Sequence, residues 1–199
     1  MGLQIIWTAY GQEIFGDRLT TIANDLRVYT FNIFHNHIIN TLYRNYFEHI
    51  QQAKNDYTTW RTDLEVKTGL LIFMEDLVTW VFYCADESSE VNKIGILGMT
   101  KARIAINSTP AHRIFLAASK RQGLLKNQLN LGMTGRYKGP MLSMGYFDRT
   151  FEVSAKHAPQ WTQVDRLING WQEAQQLEKL VIKLITEILF ESKNKDYPL

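Results

Sequence analysis

The sequence predicts a mainly α-helical domain, and three stretches carry that reading. Residues 17–52 recur in apolar side chains at intervals of three and four, residues 64–84 are apolar almost all round, and residues 162–192 show a sustained amphipathic stripe. Strand-like alternation is confined to one short run. The predicted class is therefore a helical domain with a long C-terminal amphipathic helix and room for a small β-hairpin near residues 132–153.

The opening residues, Met1-Gly2-Leu3-Gln4-Ile5-Ile6-Trp7, lack the basic start and small-residue cleavage site of a secretory signal. Ile6 stands where a myristoylation signal wants Ser or Thr. The first helical pattern then begins at Asp17. Leu19, Ile22, Ala23 and Leu26 share one face, and Phe31, Phe34, Ile38, Leu42, Tyr46 and Ile50 continue as a second stripe. Such a length asks for a break, expected between Asp25 and Thr30. His35, His37 and His49 lie here, but on a helix His35 and His37 diverge by roughly 200°, which argues against joint metal ligation.

Asn55 to Thr62 is polar and ends the pattern. From Leu64 to Cys84 a helix without a polar face is expected, hence a central one, and Glu75-Asp76 should mark its exposed sliver. Buried, the pair would need cations or raised pKa values. The one cysteine, Cys84, falls in this apolar run and should be buried; with no disulfide framework, a reducing compartment fits best. The Gly69–Cys84 run is shorter than a bilayer span and carries two acids, so the expectation is a soluble, cytoplasmic protein.

Charge is strongly segregated. Val91 to Phe147 contains no aspartate or glutamate, yet holds Lys93, Lys101, Arg103, Arg113, Lys120, Arg121, Lys126, Arg136 and Lys138. Residues 1–90 carry twelve acidic side chains against six basic ones, and residues 148–199 eight against seven. This asymmetry points to a polyanionic partner. The chain reads as one domain over 1–199, with internal boundaries at 1–90 (acidic and helical), 91–150 (basic) and 160–192 (the C-terminal helix).

Within the basic part, Lys93 to Ile106 reads as a short helix or strand-turn-helix. Thr109-Pro110 reads as a helix start leading through Ala111 towards Lys120, with Gly123 as a turn before Leu124, Leu125 and Leu129. Helix, glycine turn, helix with basic residues on both halves is the coarse grammar of a helix-turn-helix. Gly132 to Pro140 contains three glycines around Arg136, Tyr137 and Lys138, a pattern suited to an anion-holding loop in which tyrosine stacks on a base. It has neither the Walker spacing nor the dinucleotide fingerprint. Tyr146 to Val153 alternates loosely as a strand, completing the hairpin.

Thr162-x-x-Asp165 resembles a capping box opening the last helix. Its apolar stripe, Leu167, Trp171, Ala174, Leu177, Val181, Leu184 and Ile188, packs on the core or docks a partner helix, with Trp171, Leu177, Val181, Leu184 and Ile188 as the docking residues.

These features predict a non-catalytic nucleic-acid-binding subunit without cofactor or metal, within a larger complex, binding DNA or RNA. Its contacts would be Lys101, Arg103, Arg113, Lys120, Arg121, Lys126, Arg136 and Lys138 to phosphate, with Tyr137 and Tyr146 as stacking platforms. One alternative is a protein-interaction subunit that meets other proteins through the same basic surface and the C-terminal stripe. A further alternative is a magnesium-dependent nuclease, in which Glu65 and Lys67 of a Glu-x-Lys motif share one strand face with an upstream carboxylate such as Asp56.

Overall fold

A computed structural model describes residues 25–85, 93, 95–108, 114, 116–120 and 122–190. The expectations resting on residues 1–24, on the acidic loop 86–92, on Thr109-Pro110, and on Arg113 and Arg121 lie outside them. In order come α1 (Leu26–Asn45), α2 (Phe47–Asp56), α3 (Asp63–Cys84), α4 (Met99–Ser108), α5 (Gln128–Leu131), α6 (Met133–Ser143), α7 (Ala158–Asn169) and α8 (Gln172–Ile185). A single turn, Ala155–His157, precedes α7, and a wider turn, Thr186–Phe190, follows α8. The described residues contain helices and no strand.

Helix α1 starts where Asp25 caps it, accepting the Arg27 N–H at 3.0 Å while its carboxylate pairs with the Arg27 guanidinium at 2.7 Å. That hydrogen-bonded guanidinium holds the Asp25 carboxyl below the usual range. The interruption of the long pattern falls at Tyr46, between α1 and α2. Helix α3 opens on a complete capping box: Thr62 accepts the Glu65 N–H at 3.2 Å, and the Glu65 carboxylate accepts the Thr62 N–H at 2.9 Å.

One core gathers around α3. Leu70, Leu71 and Phe73 of α3 pack with Ile38 and Leu42 of α1, Ile50 of α2, Met141 of α6 and Ile185 of α8, all fully buried. A smaller cluster of Trp161, Val164, Ile168 and Ala174 joins α7 to α8, with Ile33 and Phe34 of α1 against it. His37 is a buried histidine of α1 that faces both α7 and α8. Its Nε2 lies 2.9 Å from Glu178 of α8 and its Nδ1 3.2 Å from Asp165 of α7.

Four local expectations are corrected. Residues 132–153 form no hairpin. Gly132 is the residue before α6, and the run that looked like a loop is helical despite Gly135, Gly139 and Pro140. Gly135 lets α6 approach the preceding turn, where a Cβ would stand 2.3 Å from the Leu129 carbonyl oxygen. The C-terminal stripe does not lie on one helix. At Gly170 the N–H returns to the Arg166 carbonyl at 3.0 Å and Trp171 is extended, so α7 and α8 are separate helices meeting at a corner. Within Ala111–Lys120 the described positions, Ile114 and residues 116–120, are not helical, so no helix-turn-helix is built from them. Cys84, at the end of α3, is exposed rather than buried.

Among the described residues no helix is long and apolar enough to cross a membrane.

Candidate nucleic-acid interface

The basic part is organised from inside by Glu75 and Asp76. Far from marking an exposed sliver, both are buried in the middle of α3. Among the described residues neither is met by a cation; both are met by the backbone of the acid-free stretch. Asp76 accepts N–H bonds from Ala117 at 3.2 Å and Leu124 at 3.3 Å, and from the Gln128 side-chain amide at 2.8 Å. Glu75 accepts the Thr134 N–H at 2.5 Å, in the first turn of α6. Gly132 supplies no side-chain cap to that helix, so a carboxyl from a different helix does so. Burial pushes Glu75 up to about 7 and Asp76 up to about 6, against the hydrogen bonds that favour their charged forms.

Two glycines and a tryptophan make this close approach feasible. A Cβ on Gly132 would lie 2.2 Å from Glu75 Oε2. A Cβ on Gly69 would lie 2.4 Å from the Ala118 carbonyl oxygen, which accepts the Trp60 indole N–H at 2.8 Å. The described residues of the connection, 116–120 and 122–127, thus follow an irregular path with their backbone bonded inward at Ala117, Ala118 and Leu124, and Lys120 and Lys126 on the outside.

The basic side chains meet different fates. Lys101 and Arg103 are exposed on α4 to either side of the buried Ala102. Lys120, Lys126 and Arg136 are exposed, and the Arg136 Nε–H donates to the Leu131 carbonyl at 2.9 Å. Lys138 is half-buried. Its ammonium donates to the Arg149 carbonyl at 2.8 Å and sits 4.2 Å from the Phe151 ring centroid. Burial lowers its pKa, with the charge of Lys120 acting in the same direction and Asp148 opposing. Lys120 acts also on Glu65, and the two border an open cleft of about 320 Å³ lined further by Thr59, Thr68, Ser119 and Gln122. Among the described residues, none of these cations forms an ion pair with a carboxylate.

Tyr137 is corrected as a stacking residue. Its side chain is 3% exposed, lies edge-on to Tyr29 with ring centroids 4.7 Å apart, and its hydroxyl oxygen accepts the Asp25 N–H at 2.9 Å. Tyr146 is half-buried against Trp161, whose indole N–H donates to the Tyr146 carbonyl at 2.7 Å.

The strand face needed by a Glu-x-Lys metal site is not formed, because Glu65 and Lys67 lie two residues apart in the first turns of α3. The Glu65 carboxylate is occupied by Arg61 and Thr62, and the Lys67 ammonium stands 5.2 Å from the Tyr43 ring centroid. Among the described residues no group of three or more His, Cys, Asp or Glu side chains is placed to hold a metal ion.

The docking stripe divides. Val181 belongs to the core, Leu184 and Ile188 are half-buried, and Trp171 and Leu177 are 60% and 48% exposed. Leu180, which the stripe omitted, is 63% exposed. The inward face of α8 is set by Ala174, Val181, Ile182 and Ile185, a step around the helix from the predicted stripe.

Sequence reasoning missed the inward role of Glu75 and Asp76, although a signal was present. With apolar residues at 70–74 and again at 77, 78, 80, 81 and 82, no polar face remains on which the two acids could be exposed together. Comparisons with protein-family models, curated proteins and solved structures find no match.

Proposed function

We propose that this protein is a non-catalytic nucleic-acid-binding subunit that neutralises phosphates with the cations of its acid-free central stretch. The observation that carries the reading is the division of labour in that stretch. Its backbone is consumed inward by Glu75, Asp76 and Trp60, while Lys101, Arg103, Lys120, Lys126 and Arg136 stand exposed without a carboxylate partner among the described residues. An exposed cation that lacks an internal counter-charge retains its full attraction for an external one.

Contacts of this kind supply affinity and register rather than base recognition. With Tyr137 in the core, the reading leaves stacking to Tyr146 at most, so discrimination between sequences is weak. The lone thiol suits a reducing compartment, and the reading locates the protein in the cytoplasm. Fluorescence anisotropy with labelled single-stranded RNA, single-stranded DNA and duplex DNA tests it. Binding to at least one of them should weaken steeply with added salt; indifference of all three to the protein at low salt refutes it.

A second reading, a protein-interaction subunit, is favoured by Trp171, Leu177 and Leu180, which together leave apolar surface uncovered on α8 and its entry corner. High salt separates the two, since an apolar docking contact persists where phosphate contacts dissociate.

A further inference from the structure

The hold on the basic segment comes from two carboxyl groups adjacent in sequence and buried side by side. From α1 the buried titratable groups are Tyr29, whose ring meets Tyr137 of α6 edge-on, His35, and His37, which faces Glu178 and Asp165. From α4 come Lys101 and Arg103, from the connecting segment Lys120 and Lys126, and from α6 Arg136 and Lys138; α5 has none. Among the described residues no lysine, arginine or histidine forms an ion pair with Glu75 or Asp76. Two like charges without a cation cannot both be comfortable in such a place. Asp76 has the better provision for charge, with three N–H donors on its two oxygens. Glu75 takes the Thr134 N–H on one oxygen, and although the Thr134 and Gln128 side chains also favour its charge, burial holds its proton to higher pH than that of Asp76, which makes it the natural carrier.

We propose that Glu75 and Asp76 form a proton-controlled clasp on the basic segment, which holds it closed at Ala117, Leu124, Gln128 and Thr134 while one of the two carboxyls is protonated and loosens it when both are ionised. The clasp is a property of the chain alone; only its effect on phosphate binding rests on the function proposed above. The sign follows from linkage. Closed, Glu75 keeps its proton up to about 7, whereas a glutamate opened to water releases it near its ordinary value of 4.5. The closed state is therefore favoured at acid pH, and that advantage is lost as pH rises through about 7.

Hydrogen–deuterium exchange on the full chain, without nucleic acid, tests this at pH about 5.5 and about 8.5 after correction for intrinsic exchange rates. Protection of peptides covering 117–134 should fall by on the order of tenfold at the higher pH, with much smaller change in α1, and Glu75→Gln should abolish the fall. Equal protection of wild-type protein at both pH values, or a fall that survives Glu75→Gln, overturns the proposal. Should Glu75→Gln fail to fold, the carboxyl carbon of Glu75 followed by NMR in the wild-type chain decides the matter. A titration midpoint near neutrality supports the clasp, and one near the ordinary glutamate value of 4.5 refutes it. Because no nucleic acid is present, a failed clasp leaves the phosphate reading standing, and absent phosphate binding leaves the clasp standing.

Discussion

The Gln128 side-chain amide donates to the Asp76 carboxylate at 2.8 Å in the interior, joining helices α3 and α5 across fifty-two positions of sequence. Asp76 also takes the Ala117 and Leu124 N–H groups. Asp76→Ala leaves these three donors without an acceptor, each worth about 1–3 kcal/mol. With partial compensation by water the loss should be about 3 kcal/mol, and Tm should fall by about 6–12 °C. A thermal melt followed by circular dichroism measures it. A shift of under about 2 °C would show that the carboxylate does not hold the segment.

Gly132→Ala should destabilise by about 2–3 kcal/mol, since the new methyl displaces the Glu75 carboxyl from its place and meets a backbone carbonyl that cannot step aside. The new Cβ would meet Glu75 Oε2 at 2.2 Å and the Gln128 carbonyl oxygen at 2.5 Å. Gly139→Ala is the control: beyond its chain neighbours and its own helix nothing lies within 4 Å of its Cβ, and only its place before Pro140 opposes the methyl, so the cost should stay below about 1 kcal/mol. Urea midpoints of the two variants compare them directly.

The pH dependence of stability contains two opposed contributions. Burial pushes the His35 imidazole down to about 3, so the stability it contributes is present above its ordinary value of 6.5 and lost as pH falls toward 3. Glu75 behaves oppositely: its contribution is present below 4.5 and lost as pH rises through about 7. Urea denaturation of wild-type protein and Glu75→Gln across this range should therefore show the variant gaining on wild type as pH rises. A constant difference between them would contradict the assignment.

Trp171→Ala and Val181→Ala lie on the same predicted stripe and should behave differently. Trp171 is largely exposed and its replacement should change stability by less than about 0.5 kcal/mol. Val181 is buried, and its truncation should cost about 1–2 kcal/mol. Equal effects in chemical denaturation would mean that α8 presents another face to the core.

Much of the helical framework was legible because it is written in apolar spacing. Ile38, Leu42 and Ile50 repeat at helical intervals and are fully buried, whereas the capping box that opens α3 at Thr62 and Glu65 was not read and the one read at Thr162 and Asp165 lies inside α7. What was not legible depends on distant partners. Glycines at 132, 135 and 139 look alike in a local window, yet one precedes a helix, one permits a close crossing and one faces open space. Tyr137 between two cations has the composition of a stacking site, and only the packing of Tyr29 and the Asp25 N–H against it reveals a core residue. The corner at Gly170 was hidden because the stripe on either side keeps its helical spacing while the chain turns.

The most direct test of phosphate binding by the central stretch is its salt dependence. If Lys101, Arg103, Lys120, Lys126 and Arg136 each neutralise one phosphate, log affinity for duplex DNA should fall against log salt with a slope of about −4 to −5, shallower on single strands. Lys120→Ala/Lys126→Ala should reduce that slope by about two contacts' worth without lowering Tm. A slope near zero, or one unchanged in the double variant, would contradict the account.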